Sequence, residues 1–155
     1  MSPRRRQKAE DRFADAPLDG PLLDVADVRT YFKTERGLVR AVDGVSLSLE
    51  RGKTIGIVGE SGSGKSVLSR SIMGLLPKRN TIKSGSVVFE GQELINMSLR
   101  QRQAIWGKEM AMIFQDPMTS LNPVMRVGKQ IGEGLRLHLG MSKADARATA
   151  LKLLQ

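Results

Sequence analysis

Residues 59–66 read Gly-Glu-Ser-Gly-Ser-Gly-Lys-Ser, a full match to the phosphate-binding pattern G-x-x-x-x-G-K-[S/T]. The preceding run, Thr54–Val58, is largely apolar and β-branched, which predicts a buried strand. After the glycines, apolar residues recur at helical spacing from Ser66 to Leu76, and Pro77 closes the pattern. A strand, a glycine-rich loop and a helix direct backbone N–H groups and the positive end of the helix dipole toward an anion. The stretch predicts an α/β fold that binds a nucleoside triphosphate.

Each residue type in this loop has a chemical reason. Glycines adopt conformations that side chains forbid and let the backbone approach phosphate oxygens closely. Lys65 supplies a flexible point charge for the β- and γ-phosphates, and the Ser66 hydroxyl suits Mg²⁺, which prefers oxygen ligands. The residues predicted to bind the nucleotide are Gly59, Ser61, Gly62, Ser63, Gly64, Lys65 and Ser66.

Composition excludes several classes of protein. The 155 residues contain no cysteine, which excludes disulfides, thiolate metal sites and a thiol nucleophile. The longest apolar runs are far shorter than the roughly 18 residues that a membrane span needs. The Arg4-Arg5-Arg6 cluster resembles an export signal, but acidic residues interrupt the segment after it, where such a signal is apolar. The sequence therefore predicts a cytoplasmic location.

A net charge of +9 suggests a nucleic-acid partner, but its distribution argues against one. Part of the excess lies in residues 1–12, and the rest is scattered along the chain. One Trp, one Tyr and four Phe leave few rings to stack on bases. Residues 1–21 are therefore predicted to be a disordered basic tail, and contact of this tail with anionic lipid headgroups stays open.

Alternating apolar residues predict an antiparallel sheet beside the loop, and capping signals predict helices after it. The predicted strands are Leu22–Val25 with Val28–Phe32, Leu38–Val42, Val45–Leu49, Gly85–Phe89 and a central strand at Met110–Phe114. A polar turn at Glu35–Gly37 is predicted before Leu38–Val42. The predicted helices are one begun by the capping box of Ser98 and Gln101, one over Val127–Leu139 closed by Gly140, and one capped by Ser142 and Asp145. The helical pattern after Ser142 continues to Gln155 without a closing Gly or Pro, so the chain is predicted to be truncated. His138, the single histidine, is predicted to be solvated.

The segment after Met110–Phe114 allows two interpretations. Asp116 resembles the acidic residue that holds Mg²⁺ at the end of a second strand in hydrolytic phosphate-loop enzymes. However, Gln115 stands at the strand tip, no glutamate follows Asp116, and Pro117 begins a loop with a second proline at position 123. These details argue against Asp116 as that acidic residue.

The chain resembles the N-terminal part of an ATP-binding subunit of ABC transporters, specifically the group that imports oligopeptides, dipeptides or nickel. The resemblance runs from about Leu22 to the end and is carried by Ala41–Ser46, Gly56–Ser66 and above all Met112–Pro123. It implies a P-loop NTPase fold of the ABC type with an antiparallel β subdomain. Residues 22–115 would form the N-terminal part of the nucleotide-binding domain, and residues 116–155 the glutamine loop and the start of a helical subdomain.

Roles for individual residues follow from this resemblance. Gln115 corresponds to the loop glutamine that approaches Mg²⁺ and the attacking water, and it would couple the nucleotide site to transmembrane subunits. Phe32 occupies the position at which the family has an aromatic residue that stacks on adenine, and Tyr31 is the lesser candidate. Met118 and Leu121 would form part of the contact with the membrane subunit.

The resemblance also implies ATP and Mg²⁺ as cofactors and a set of partners. These are transmembrane permease subunits, a second ATP-binding subunit in a homo- or heterodimer and, indirectly, a solute-binding protein, at the cytoplasmic face of the inner membrane. The 155 residues contain no L-S-G-G-Q-like signature and no apolar strand ending in Asp-Glu. The chain is therefore expected to bind ATP but not to hydrolyse it alone.

Other functions stay open at this point. One is a non-hydrolysing nucleotide-binding or interaction module. Another is a kinase or GTPase that uses Asp116, although no substrate- or base-recognition motif accompanies it. ABC-type ATPases of DNA repair and translation are further relatives, but the segment from Gln115 to Pro123 favours transport.

Overall fold

The structure, a computed structural model, describes residues 20–116 and 120–155. These residues form two compact units, 20–102 and 103–155. Nearly all of the predicted basic tail, together with Met118, lies outside the described residues. Within the described part of the chain, no helix is long and apolar enough to cross a membrane.

The first unit contains the predicted antiparallel sheet. Its strands are β1 (Leu23–Thr34), β2 (Gly37–Leu49), β3 (Thr81–Phe89) and β4 (Gln92–Glu93), in the order β2-β1-β3-β4. The turn at Glu35–Arg36 joins β1 to β2, as the sequence predicted. The two runs at Leu22–Val25 and Val28–Phe32 form one strand, as predicted. Leu38–Val42 and Val45–Leu49, predicted as separate strands, are continuous in β2, because β2 pairs with β1 over nearly its whole length.

The core of this unit lies between the sheet and helix α1 (Lys65–Ile72). Val25, Val28 and Val87 are almost fully buried on the sheet, and Leu68 and Ile72 are buried on α1. Burial of such side chains stabilises a fold by about 1.5–3 kcal/mol each. The helix that carries the phosphate-binding loop is therefore fixed to the sheet by apolar packing.

Helix α1 ends at Ile72, four residues before the predicted end, so the predicted boundary at Leu76 is wrong. Gly74 adopts a left-handed conformation with φ of 67°. Its N–H donates to the Ser71 carbonyl at 3.0 Å, and the Leu75 N–H donates to the Arg70 carbonyl at 2.9 Å. This pair of bonds is the Schellman ending that glycine favours. The glycine, rather than Pro77, was the stop signal in the sequence.

Glu93 fixes the β3–β4 hairpin by accepting several hydrogen bonds. Its carboxylate accepts from the Ser86 hydroxyl, from the Ile95 N–H at 2.8 Å and from the Val87 N–H at 3.2 Å. Partial burial alone would raise the pKa of Glu93, but these hydrogen bonds outweigh it and lower the pKa below its ordinary value. The charged form of Glu93 therefore stabilises this turn.

Two predicted strands are not strands in the structure. Thr54–Val58 has no ladder partner and is exposed, with Val58 93% accessible. Met110–Phe114 makes a single bridge, between Met110 and Trp106, and Ile113 is 99% accessible. A strand needs a neighbouring strand for its N–H and C=O groups, and among the described residues neither segment pairs with one beyond the single bridge at Met110. Both predictions are wrong for this structure.

The second unit contains a pair of helices, α3 (Val127–Leu139) and α4 (Lys143–Leu153), preceded by α2 (Leu99–Ile105), which crosses the unit boundary. The predicted caps are confirmed. Gly140 is left-handed with φ of 65°, and the Asp145 N–H donates to Ser142 Oγ at 3.1 Å. The capping box of α2 is present, with the Ser98 N–H donating to Gln101 Oε1 at 2.9 Å.

His138 departs from its prediction. It is half-buried, not solvated. Its ring packs so closely on Gly107 that a β-carbon at position 107 would lie 2.7 Å from Nε2.

Candidate phosphate-binding site

The loop 59–64 turns directly into the first turn of α1, as the motif requires. The Ser63 N–H donates to the Glu60 carbonyl at 3.2 Å and closes the turn, and Gly62 and Gly64 are left-handed with φ of 84° and 92°. Gly64 is the N-cap of α1, and no side chain caps the helix. The first N–H groups of a helix lack intrahelical acceptors, so this end is suited to bind an anion.

A bulge in β2 explains why position 64 must be glycine. Thr30 pairs with Val42 and Tyr31 pairs with Arg40, which leaves Ala41 without a partner on β1. A β-carbon on Gly64 would lie 2.2 Å from the Ala41 carbonyl oxygen. The sheet therefore contacts the phosphate-binding loop through a backbone approach that only glycine permits.

Lys65 lies over the loop rather than extending into solvent. Its Nζ donates to the Gly59 carbonyl at 2.6 Å, the Glu60 carbonyl at 2.7 Å and Ser63 Oγ at 3.2 Å. These bonds hold the ammonium over the turn that the glycines form. Ser66 follows in the first turn of α1, and its side chain is exposed. A cation, an exposed hydroxyl and an uncapped helix start thus lie together, and this set fits the phosphates of a nucleotide and Mg²⁺.

A buried hydrogen bond joins α1 to the middle of β1. The Thr30 hydroxyl is fully buried and lies 2.7 Å from Ser71 Oγ, which also donates to the Val67 carbonyl at 2.7 Å. Sequence patterns did not identify this pair. A threonine among alternating strand residues and a serine inside a helix give no signal of their contact.

The two aromatic candidates on β1 point to opposite faces of the sheet. Residues two apart on a strand share a face, so Phe32 lies on the α1 face with Thr30, and Tyr31 lies on the other. There the Tyr31 hydroxyl donates to Asp43, and the Arg40 guanidinium lies 5.6 Å from the ring centroid. The hydrogen bond from Tyr31 lowers the pKa of Asp43, with help from the charges of nearby arginines. Tyr31 is thus engaged away from the α1 face, whereas Phe32 is half-buried on it.

Arg102 anchors the other end of α1, a role that no sequence pattern identified. Its guanidinium donates to the carbonyls of Gly74 at 2.8 Å, Ile95 at 2.8 Å and Leu94 at 3.1 Å. A cation near the last carbonyls of a helix also complements the helix dipole. The phosphate-binding helix is therefore held at its C-terminal end by one side chain from α2.

Gln115 and Asp116 are both exposed and belong to the second unit. The Ser120 hydroxyl donates to the Asp116 carbonyl at 3.0 Å, and Leu121 is half exposed. The structure brings Gly59, Ser63, Gly64, Lys65 and Ser66 together in the first unit. The role of Gln115 toward Mg²⁺ and water stays a prediction.

Comparison with known proteins agrees with this geometry. A family profile described as ABC transporter matches residues 42–155. The chain is 51% identical over 135 residues to the oligopeptide transport ATP-binding protein OppD of Bacillus subtilis, covering 86% of this chain and 38% of that protein. It is 50% identical over 135 residues to the dipeptide transport ATP-binding protein DppD of Lactococcus lactis, covering 86% of this chain and 39% of that protein.

Solved structures agree in fold. A dimeric structure of the bacterial ABC transporter cassette MJ0796 matches with a TM-score of 0.72 at 22% identity, over 84% of this chain and 54% of that one. A post-hydrolysis dimer of MJ0796 bound to ADP and Pi matches with a TM-score of 0.68 and the same coverage. The chain spans about two-fifths of the curated relatives it matches. Because the family profile matches residues 42–155 and the chain is 51% and 50% identical to OppD and DppD, the chain belongs to the ABC transporter family.

Proposed function

We propose that this chain is the nucleotide-binding part of an ATP-binding subunit that drives import of peptides or similar small solutes. The observation that carries the proposal is the loop 59–66, with Lys65 held over the turn and an uncapped helix start behind it. The names of relatives such as OppD and DppD support peptides as the solute class.

ATP would be held by its phosphates and by its base. The phosphates would contact the backbone of Gly59, Ser61, Gly62, Ser63 and Gly64, with Lys65 supplying charge. Ser66 and Gln115 would ligate Mg²⁺, whose preference for oxygen suits a hydroxyl and an amide carbonyl. Magnesium would neutralise phosphate charge, and Gln115 would orient the attacking water.

Phe32 is the proposed adenine contact, and the geometry of β1 supports it over Tyr31. Phe32 shares the sheet face that packs against α1, whereas Tyr31 is bound to Asp43 and Arg40 on the opposite face. Replacement of Phe32 by alanine should weaken binding of ATP and of adenosine by similar factors. Replacement of Tyr31 by phenylalanine should leave both affinities near their original values.

The proposed partners are the permease subunits, a second ATP-binding subunit and, indirectly, a solute-binding protein. The dimeric state of the MJ0796 cassette structures supports the second of these. Such an assembly would lie at the cytoplasmic face of the inner membrane, with residues 116–155 toward the permease. We propose that the 155 residues bind ATP but do not turn it over alone, and that residues 22–115 and 116–155 act as its two functional parts.

Titration with a fluorescent ATP analogue tests the core of this proposal. Lys65→Ala should weaken binding by about 10- to 100-fold, because hydrogen bonds to charged groups contribute about 1.5–3 kcal/mol. Lys53→Ala is the matched control, since it removes the same charge from an exposed position in the first unit. Equal affinities of the two variants would refute the loop as the nucleotide site.

A non-hydrolysing nucleotide-binding module is the second candidate, because the loop 59–66 by itself accounts for nucleotide binding and not for hydrolysis. Phosphate release distinguishes the two. The chain alone should release no more phosphate than its Lys65→Ala variant under either reading. A full-length peptide-importer ATP-binding subunit is then added to the chain. Release above that of the full-length subunit alone, seen with the unmodified chain but not with its Lys65→Ala variant, would support the transporter ATPase and reject the module.

A further inference from the structure

We propose that the Ser63 hydroxyl competes with nucleotide phosphate for the Lys65 ammonium and so limits nucleotide affinity. Ser63 would act as a positioning residue, through Lys65. The inference rests on the proposed function, because it assumes that the loop 59–66 binds nucleotide phosphates.

Ser63 and a phosphate compete for Lys65 because its ammonium group has a limited number of hydrogens. A lysine ammonium has three hydrogens and accepts nothing. Nζ of Lys65 donates to three acceptors of its own loop, the carbonyls of Gly59 and Glu60 and the hydroxyl of Ser63. Lys65 can therefore bind a phosphate oxygen only by giving up one of these bonds.

The bond to Ser63 is the one most easily given up. It is the longest of the three at 3.2 Å, whereas the two carbonyl bonds measure 2.6 and 2.7 Å. The Glu60 carbonyl also accepts from the Ser63 N–H and belongs to the turn itself. Ser63 is exposed, so water can replace Lys65 as the partner of its hydroxyl. A bond that must break when the ligand binds opposes binding by its net free energy.

Gly59 provides the space for this arrangement. A β-carbon at Gly59 would lie 2.8 Å from Ser63 Oγ and 3.9 Å from Lys65 Nζ. The hydroxyl thus occupies the space that a side chain at position 59 would fill, directly beside the ammonium. Ser63 is held next to Lys65 by the loop and does not merely point into solvent.

The test compares Ser63→Ala with the unmodified chain by titration with ATP and with adenosine. Ser63→Ala should bind ATP about two- to fivefold more tightly, a small factor because exposed hydrogen bonds contribute little net free energy. Adenosine affinity should not change, because adenosine carries no phosphate. Ser63→Cys, of nearly the same size but a weak acceptor, should shift ATP affinity in the same direction.

A double-variant cycle shows whether the effect passes through Lys65. In a Lys65→Met background, Ser63→Ala should leave ATP affinity unchanged. Equal or weaker ATP binding by both Ser63 variants would overturn the proposal, as would a gain that also appears with adenosine or persists without Lys65. The proposed function fails separately, if the unmodified chain and its Lys65→Ala variant bind ATP alike.

Discussion

Gly64→Ala should destabilise the first unit far more than Gly62→Ala, although the two glycines have nearly the same backbone conformation. Their φ values are 92° and 84°. An alanine in this left-handed region costs roughly 1–2 kcal/mol at either site. The main difference between the two positions is what surrounds the new methyl group, so Gly62→Ala is a matched control for Gly64→Ala.

The atoms around each added methyl group account for the difference in stability between the two variants. At Gly62 no atom lies within 4 Å of an added β-carbon, whereas at Gly64 the Ala41 carbonyl oxygen would lie at 2.2 Å. Relief requires α1 to move away from β2 or the bulge at Ala41 to rotate, because no flexible side chain is involved. Such overpacking costs about 1–3 kcal/mol. We therefore expect Gly64→Ala to lose about 2–5 kcal/mol in total, against about 1–2 kcal/mol for Gly62→Ala.

Thermal unfolding followed by the β-sheet band in the infrared spectrum measures this difference, because the sheet belongs to the first unit. Each kcal/mol should lower the melting temperature by about 2–4 °C for a chain of this length. Urea unfolding provides an independent value. Equal losses for the two variants would refute the close approach of the β2 bulge to the loop.

Two further predictions concern the first unit. Ser71→Ala should lower the free energy of unfolding by about 1–3 kcal/mol, because it leaves the buried Thr30 hydroxyl without its partner. Thr30→Val should lower it by only about 0.5–1.5 kcal/mol. Urea unfolding of both variants measures the two losses, and a larger loss for Thr30→Val would contradict the prediction. The pKa of Glu93 is lowered in the folded chain, so its stabilising contribution is complete above its ordinary pKa of about 4.5 and is lost as pH falls through the lower folded value. Glu93→Gln should therefore unfold with a shallower dependence on pH below 4.5, and identical acid-unfolding curves would rule this contribution out.

Local signals in the sequence predicted much of this fold correctly. The turn between β1 and β2, the capping box at Ser98 and the ends of the helices at Gly140 and Ser142 depend on residues within a few positions of one another. Such features form from short-range hydrogen bonds and backbone preference, which a sequence displays directly. The phosphate-binding loop belongs to the same class, since its motif specifies both backbone and charge.

Features that depend on distant partners were not predictable in the same way. Thr54–Val58 and Met110–Phe114 have the composition of buried strands, but composition cannot supply the neighbouring strand that would accept their hydrogen bonds. The bulge at Ala41 arises from the register between β1 and β2, which no single strand reveals. The Thr30–Ser71 bond likewise joins residues 41 positions apart.

The long-range contacts nevertheless explain why the loop motif has the residues it has. Gly64 faces the backbone of a β2 bulge, and Gly59 faces the hydroxyl of Ser63 beside Lys65. These two glycines are therefore constrained from different sides, one by the sheet and one by the loop itself. Gly62, with open space around it, is constrained only by its backbone conformation. The motif thus combines two requirements for space around a glycine with one for backbone conformation, and substitutions at its glycines should fail for three different physical reasons.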